Sequence, residues 1–231
     1  MADRVSLVPS GASQSGAARG GPFASATAAF PRRISPSPRG LNPYLRGPKQ
    51  ALECALVVLS SPAWASLLAF IFLLLLIPLR GRVLLSQTRT GRNGRFFRMY
   101  KFRTLRSAVS TPLSKPEASA VRETVFLGGW LRRTGLDELP QLVNVLKGDM
   151  HVVGPRPLLE RDLGHLTDEE AAGRQAIRPG LTGLWQVTRR YDDSDARFAE
   201  VDREYIRTAT AMLDLRILLL TMAYAFRMRG R

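Results

Sequence analysis

Arg132-Arg133-Thr134-Gly135-Leu136-Asp137-Glu138-Leu139-Pro140-Gln141-Leu142 is the stretch around which the chain is organised. It runs on through Lys147-Gly148-Asp149-Met150 to Gly154-Pro155-Arg156-Pro157. Two arginines precede an adjacent Asp-Glu pair, and a proline follows three residues past the Asp. Proline is tolerated in the first turn of a helix, where the N–H groups have no partner inside the helix. The spacing predicts a helix with Asp137 as N-cap or first residue and Leu139, Leu142, Val143 and Leu146 on its apolar side. Lys147-Gly148 supplies a basic last turn and a C-cap. The pair is then expected at the positive end of a helix beside guanidinium groups. That setting keeps an Asp ionised and nucleophilic and attracts phosphate. An ordinary N-capped helix with surface ion pairs fits the same residues. Gly-Pro-Arg-Pro favours the phosphate reading, because a rigid turn presents an arginine with little freedom left to lose.

The 231 residues allow one catalytic domain plus a tail. A net charge of +15 and a pI near 11.2 call for an anionic partner: nucleic acid, an acidic membrane surface or phosphate substrates. The single cysteine, Cys54, cannot close an intrachain disulfide and reads as packing. His151 and His165 stand at no metal-ligand spacing and are given no chemistry.

Residues 1–48 are rich in Ser, Ala, Gly, Pro and Arg, the composition of a disordered basic tail. No signal peptide is expected, since the apolar run comes late. Residues 49–80 read as a membrane helix: Leu67 to Leu79 is too apolar for an ordinary soluble helix. Basic residues flank it on both sides, Lys49 among those before it, and no acidic residue falls between 80 and 106. Both ends therefore favour the same, cytoplasmic side. A helix broken near Ser61 and Pro62 that enters and returns satisfies this. Residues 81–231 are expected to form a cytosolic catalytic domain with interfacial helices. Its parts are a hairpin turning at Gly91-Arg92-Asn93-Gly94, a loop over 107–119, and a short helix from Val125 to Arg133. A helix capped near Thr167 runs to about Ile177, and a short strand covers Thr182 to Val187. Tyr191 to Asp195 forms a capping turn. Between Tyr205 and Phe226 lies an amphipathic helix, which Asp214 and Arg216 keep from spanning and Arg227, Arg229 and Arg231 anchor. Trp185 reads as core before it reads as a stacking surface. The fold class is α+β.

Leu-Asp-Glu-Leu-Pro-Gln-Leu, Asn-Val-Leu-Lys-Gly-Asp-Met and Val-Gly-Pro-Arg-Pro-Leu together resemble the bacterial sugar transferases, the monotopic phosphoglycosyl transferases. Tyr100-Lys101-Phe102-Arg103-Thr104 and Arg178-Pro179-Gly180-Leu181-Thr182-Gly183-Leu184-Trp185-Gln186 are similar to two further family motifs in the right order. The resemblance covers roughly residues 50 to 226. It implies transfer of a sugar-1-phosphate from a UDP-sugar to polyprenyl (undecaprenyl) phosphate with release of UMP, at the inner face of a bacterial cytoplasmic membrane. The product class is exopolysaccharide, capsule or O-antigen glycan.

In that reading Asp137 is the nucleophile and a ligand of Mg²⁺, and Glu138 is a base or stands in the metal's shell. Arg132, Arg156, Lys101, Arg103, Arg178 and Gln186 hold phosphate or substrate. The family's re-entrant helix carries a Ser-Pro at its break, and counting back from Ser86-Gln87-Thr88-Arg89 puts that break near Ala65 or Ser66, one turn beyond Pro62. Glu53 falls about where the family has an acidic residue. Ala120-Val121-Arg122-Glu123-Thr124 stands where the family commonly has an Asp-Pro-Arg element, so an Asp is missing there. The long C-terminal helical region resembles members that use hexose-1-phosphates, which points to glucose or galactose. A non-catalytic membrane scaffold of the same fold and a basic nucleic-acid-binding protein are the competing readings. The absence of any nucleic-acid motif weighs against the second.

Overall fold

The structure, a computed structural model, describes residues 42–105, 124–125, 127–164, 166–188 and 196–227. Residues 1–41 of the basic tail, the 107–119 loop, Arg122, His165, the Tyr191–Asp195 turn, Arg229 and Arg231 lie outside those residues; residues 43–46 and 48, within the bounds expected for the tail, are helical, with Leu45 buried. What is described is mostly helical, with two small two-stranded sheets.

The chain opens with α1 (Pro43–Arg46) and α2 (Pro48–Leu59), then turns by 65° into α3 (Ser61–Leu76). Among the described residues no single helix is long and apolar enough to cross a bilayer; this bent pair is, taken together. The bend falls at Ser60-Ser61-Pro62, and α3 continues unbroken through Ala65 and Ser66. Pro62 has no N–H to continue the ladder. Two carbonyls in the last turn of α2 accept side-chain bonds beside the bend. The Ser60 hydroxyl donates to Leu56 O at 2.7 Å, and the Trp64 indole N–H donates to Val57 O at 2.8 Å.

The first limb, α2, buries charged groups and turns apolar ones outward, while α3 buries Ile71 and Leu75. Lys49, Glu53 and Val57 are the buried residues of α2, spaced i, i+4, i+8, while Leu59 and Ile77 stand 77% and 85% exposed. Lys49 is therefore not a flanking surface cation: it lies at 0% exposure inside the fold. The outward apolar face suits a hydrocarbon surrounding, in which charged groups turn inward and pair.

The hairpin β1 (Leu84–Thr90) and β2 (Phe96–Phe102) forms as the Asn-Gly signal predicts, with Asn93 at φ 57° and Gly94 at φ 70° in its turn. Next come α4 (Gly128–Thr134), a 3₁₀ turn (Leu136–Glu138) and α5 (Gln141–Leu146). Asn144 clips α5 to the outer edge of the hairpin. Its Oδ1 accepts the Tyr100 N–H at 3.2 Å, and its Nδ2 donates to Arg98 O at 2.7 Å and to Asp149 Oδ2 at 3.2 Å. Lys147 sits 4.8 Å from the centre of the Tyr100 ring. The Asn-Val-Leu-Lys-Gly-Asp motif is thus a clamp on the strand that carries Lys101 and Arg103.

A second, parallel sheet joins β3 (His151–Val153) to β4 (Gly180–Thr182). Between them lie α6 (Glu160–Leu163) and α7 (Asp168–Gln175), the latter closed by the Thr167–Glu170 capping box that the sequence predicts. The expected strand from Thr182 to Val187 is instead the end of β4 followed by α8 (Leu184–Thr188). Gly183 ends the strand, because a Cβ there would lie 2.2 Å from Gly154 O. The C-terminal region is two helices, α9 (Ala196–Thr208) and α10 (Ala211–Arg227). On α10, Ile217 and Asp214 are buried while Met212, Leu215, Leu219, Leu220 and Met222 are exposed.

Candidate active site

Gly135, at φ 73°, ends α4 in the left-handed region and reverses the chain into the 3₁₀ turn. Asp137 and Glu138 sit in this turn, not at the N-cap of an α-helix as the spacing suggested. Pro140 is the reason. It cannot donate the i→i−4 bond, so Glu138 N–H reaches Gly135 O at 3.1 Å and Leu139 N–H reaches Leu136 O at 3.3 Å. The α-helix begins only at Gln141, with Pro140 as its cap. Leu136 and Leu139 flank the carboxylates and pack on the cluster of Ile71, Leu75, Leu79, Val83, Phe102 and Leu131. The carboxylate turn is therefore fastened to the end of α3.

Four of the expected site residues come together here. Lys101 reaches across from β2 to the charges of Asp137 and Glu138, with Arg132 from α4 beside it. Burial, then the charge of Glu138, pushes the Asp137 carboxyl up to about 7, against Lys101, Arg132 and its own backbone N–H. The carboxyl therefore gives up its proton only near neutral pH, well above its ordinary range. A short 3₁₀ turn has little dipole, and desolvation outweighs the cations. Burial likewise lowers the ammonium of Lys101, opposed by Asp137 and Glu138 and helped by Arg89 and Arg132. Arg89, which the sequence reading passed over, is buried on β1 and donates to Pro157 O at 3.2 Å and to Gln87 Oε1 at 3.0 Å. It therefore links the Lys101 surroundings to the Gly-Pro-Arg-Pro turn.

Arg103, Arg156, Arg178 and Gln186 are held by other contacts, and none of these is with Asp137 or Glu138. Arg103 donates its backbone N–H to Val83 O at 2.8 Å. Among the described residues, its buried Nε and the buried Oε1 of Gln186 have no hydrogen-bond partner. Arg156 stacks its guanidinium 4.6 Å from the centre of the Trp185 ring, so Trp185 is half-buried and forms a stacking surface. Arg156 also lies in the field of the buried Arg174–Asp202 ion pair. Arg178 donates through Nε to Gly148 O at 2.5 Å and lies near the charges of Glu53 and Asp149. Ser61 and Pro62 stand at the bend between α2 and α3.

An adjacent, partly desolvated carboxylate pair suits a hard divalent cation that keeps most of its shell as phosphate oxygen and water. Among the described residues no trio of His, Cys, Asp or Glu is placed to enclose an ion. The electrostatics give a direct expectation. Since Asp137 binds its proton more tightly in the folded chain, it favours folding at low pH, and this contribution disappears as pH rises from about 4 to about 7. In chelator, wild type should lose melting temperature relative to Asp137→Asn across that range, and Mg²⁺ should recover the loss at the upper end. Parallel pH curves for the two proteins would show that Asp137 is not desolvated.

The sequence profile described as Bacterial sugar transferase matches residues 45–228. The chain belongs to the bacterial sugar transferase family. It is 37% identical over 188 residues to an undecaprenyl-phosphate glucose phosphotransferase of Komagataeibacter xylinus, covering 75% of this chain and 35% of that protein. It is 32% identical over 197 residues to the exopolysaccharide production protein ExoY of Sinorhizobium fredii, covering 79% of this chain and 87% of that protein. An undecaprenyl-phosphate galactose phosphotransferase of Salmonella typhimurium is 38% identical over 166 residues, covering 65% of this chain and 34% of that protein. The chain thus spans about a third of the two phosphotransferases and most of ExoY.

Proposed function

We propose that the chain transfers a sugar-1-phosphate from a UDP-sugar to polyprenyl phosphate and releases UMP, working at the inner surface of a bacterial cytoplasmic membrane. The observation that carries this is the Asp137–Glu138 turn: carboxylates among Lys101 and Arg132, fastened through Leu136 and Leu139 to the apolar helix pair. A carboxylate held there meets a phosphate at the edge of the lipid, where a polyprenyl chain must keep its tail.

Asp137 Oδ attacks the sugar-bearing phosphorus, and the phosphoanhydride bond to UMP breaks. UMP leaves with the electron pair, and the sugar phosphate stays on the enzyme as a mixed anhydride. An oxygen of polyprenyl phosphate then attacks the same phosphorus and frees Asp137, giving a sugar diphosphate on the polyprenol. Glu138 accepts any proton left on the acceptor phosphate. Arg132, Lys101 and Arg103 hold oxygens of the transferred phosphate, while Arg156, Arg178 and Gln186 hold the rest of the donor. Mg²⁺ held at Asp137, with Glu138 in its shell, would neutralise the diphosphate as charge shifts to the leaving group. The relatives named for glucose and galactose transfer support a hexose donor. A re-entrant seat, which would return both basic flanks to one side, fits the 65° bend at Ser61 and Pro62.

The test is a panel of UDP-sugars incubated with the purified full chain and undecaprenyl phosphate, reading UMP. UDP-glucose or UDP-galactose should release UMP catalytically only when the acceptor is present, and at most once per protein without it. No UMP from any sugar, with correctly folded protein in lipid, would leave the scaffold reading standing.

A further inference from the structure

A polar cluster lies buried where α2, β3, α9 and α10 meet, and the chemistry above makes no use of it. Lys49 Nζ lies 2.8 Å from Glu53 Oε1 and pairs with Asp214. Glu53 Oε1 also accepts the backbone N–H of Val153 at 3.1 Å, and Glu53 Oε2 lies 2.6 Å from His151 Nδ1. The Tyr205 hydroxyl lies 2.7 Å from Asp214 Oδ1 and 3.1 Å from Val153 O, and the Tyr44 hydroxyl donates to Asp214 Oδ2 at 2.9 Å. Both backbone polar groups of Val153 are thus gripped by side chains from other elements. Val153 is the residue from which the chain enters Gly154-Pro155-Arg156.

A buried ion pair adds little stability over apolar residues of the same size. It does fix one arrangement, because breaking it strands a charge. Glu53 has a particular reach: it stands on the first limb of the bent apolar pair and holds β3 directly. We propose that Glu53 and His151 are positioning residues that register the bent helix pair against the strand leading into the Arg156 turn, and so set affinity for the nucleotide-diphosphate donor. This rests on the reading in which Arg156 holds that donor. Neither residue touches the donor; they act through Val153 and the turn.

The experiment uses the full chain in lipid nanodiscs with undecaprenyl phosphate and the UDP-sugar that wild type turns over. Glu53→Gln should raise KM for the donor about tenfold while kcat changes about twofold. Amide hydrogen exchange over 151–157 should quicken, with 141–147 unchanged as the internal reference. His151→Gln, whose side-chain amide can still donate to Glu53, should keep KM near wild type, and His151→Val should behave like Glu53→Gln. If Glu53→Gln does not fold, the two His151 variants decide alone. Unchanged KM and unchanged exchange over 151–157 would overturn the proposal. So would exchange that rises equally over 141–147 while KM holds, since that is a merely structural loss. Should wild type release no UMP at all, the function above fails, and the exchange arm still tests whether Glu53 registers the turn.

Discussion

Asp137→Asn should abolish UMP release and also remove the radiolabel that a UDP-sugar labelled in its sugar leaves on the protein. The amide keeps the shape and the backbone N–H contact but cannot form the anhydride. Loss of a covalent nucleophile costs on the order of 10⁴-fold or more in turnover. The change should not unfold the chain, because burial and Glu138 already favour the uncharged carboxyl, which the amide mimics. Glu138→Gln should differ in kind: label accumulates while turnover slows, since the first displacement does not call on Glu138. Label retained on Asp137→Asn at the wild-type level would remove Asp137 as the nucleophile.

Gly180→Ala should cost the most stability of any single methyl added to the described chain. The Gly154-Pro155-Arg156-Pro157 and Arg178-Pro179-Gly180-Leu181-Thr182 segments interlock through backbone contacts. A Cβ on Gly180 would lie 2.1 Å from Gly154 N and 2.5 Å from Thr182 O, and neither atom can swing aside. The Gly154 N–H to Thr182 O bond at 2.8 Å and the Gly180 N–H to Pro155 O bond at 2.8 Å would both have to open. Overpacking of this kind costs about 3 kcal/mol, which for a chain of this size lowers the melting temperature by roughly 10 °C. Gly129→Ala is the matched control: nothing lies within 4 Å of its added methyl, and it sits inside α4. That change should be neutral or raise the melting temperature. Equal melting curves for the two variants would refute the interlock.

Local signals carried much of this fold. Asn93-Gly94 announces its hairpin and Thr167 with Glu170 its capped helix, because both are set by residues a few positions apart. Arg132, five positions before Asp137, could be read as its neighbour, whereas the expected approach of Arg156 is not seen among its contacts. What the sequence could not show was the sign of the environment. Asp137 looked like a helix-start carboxylate and is instead a desolvated one, since burial depends on where Leu136 and Leu139 find partners. Lys49, Glu53, His151 and Asp214 are scattered over 165 positions and look like a flank charge, a lone acid, an idle histidine and a charge on an amphipathic helix. Only the tertiary fold makes them one cluster. A faint signal existed: Lys49 and Glu53 are one turn apart in an apolar run, where unpaired charges are not tolerated. Trp185 was misjudged for the same kind of reason, because its arginine partner comes from a distant turn.

The bend at Ser60 has one more implication. Ser60 and Trp64 bond the carbonyls of Leu56 and Val57, so two polar groups at the elbow are met from within the chain. Should the bent pair enter lipid, those two carbonyls would go in already bonded, with no water to be stripped from them.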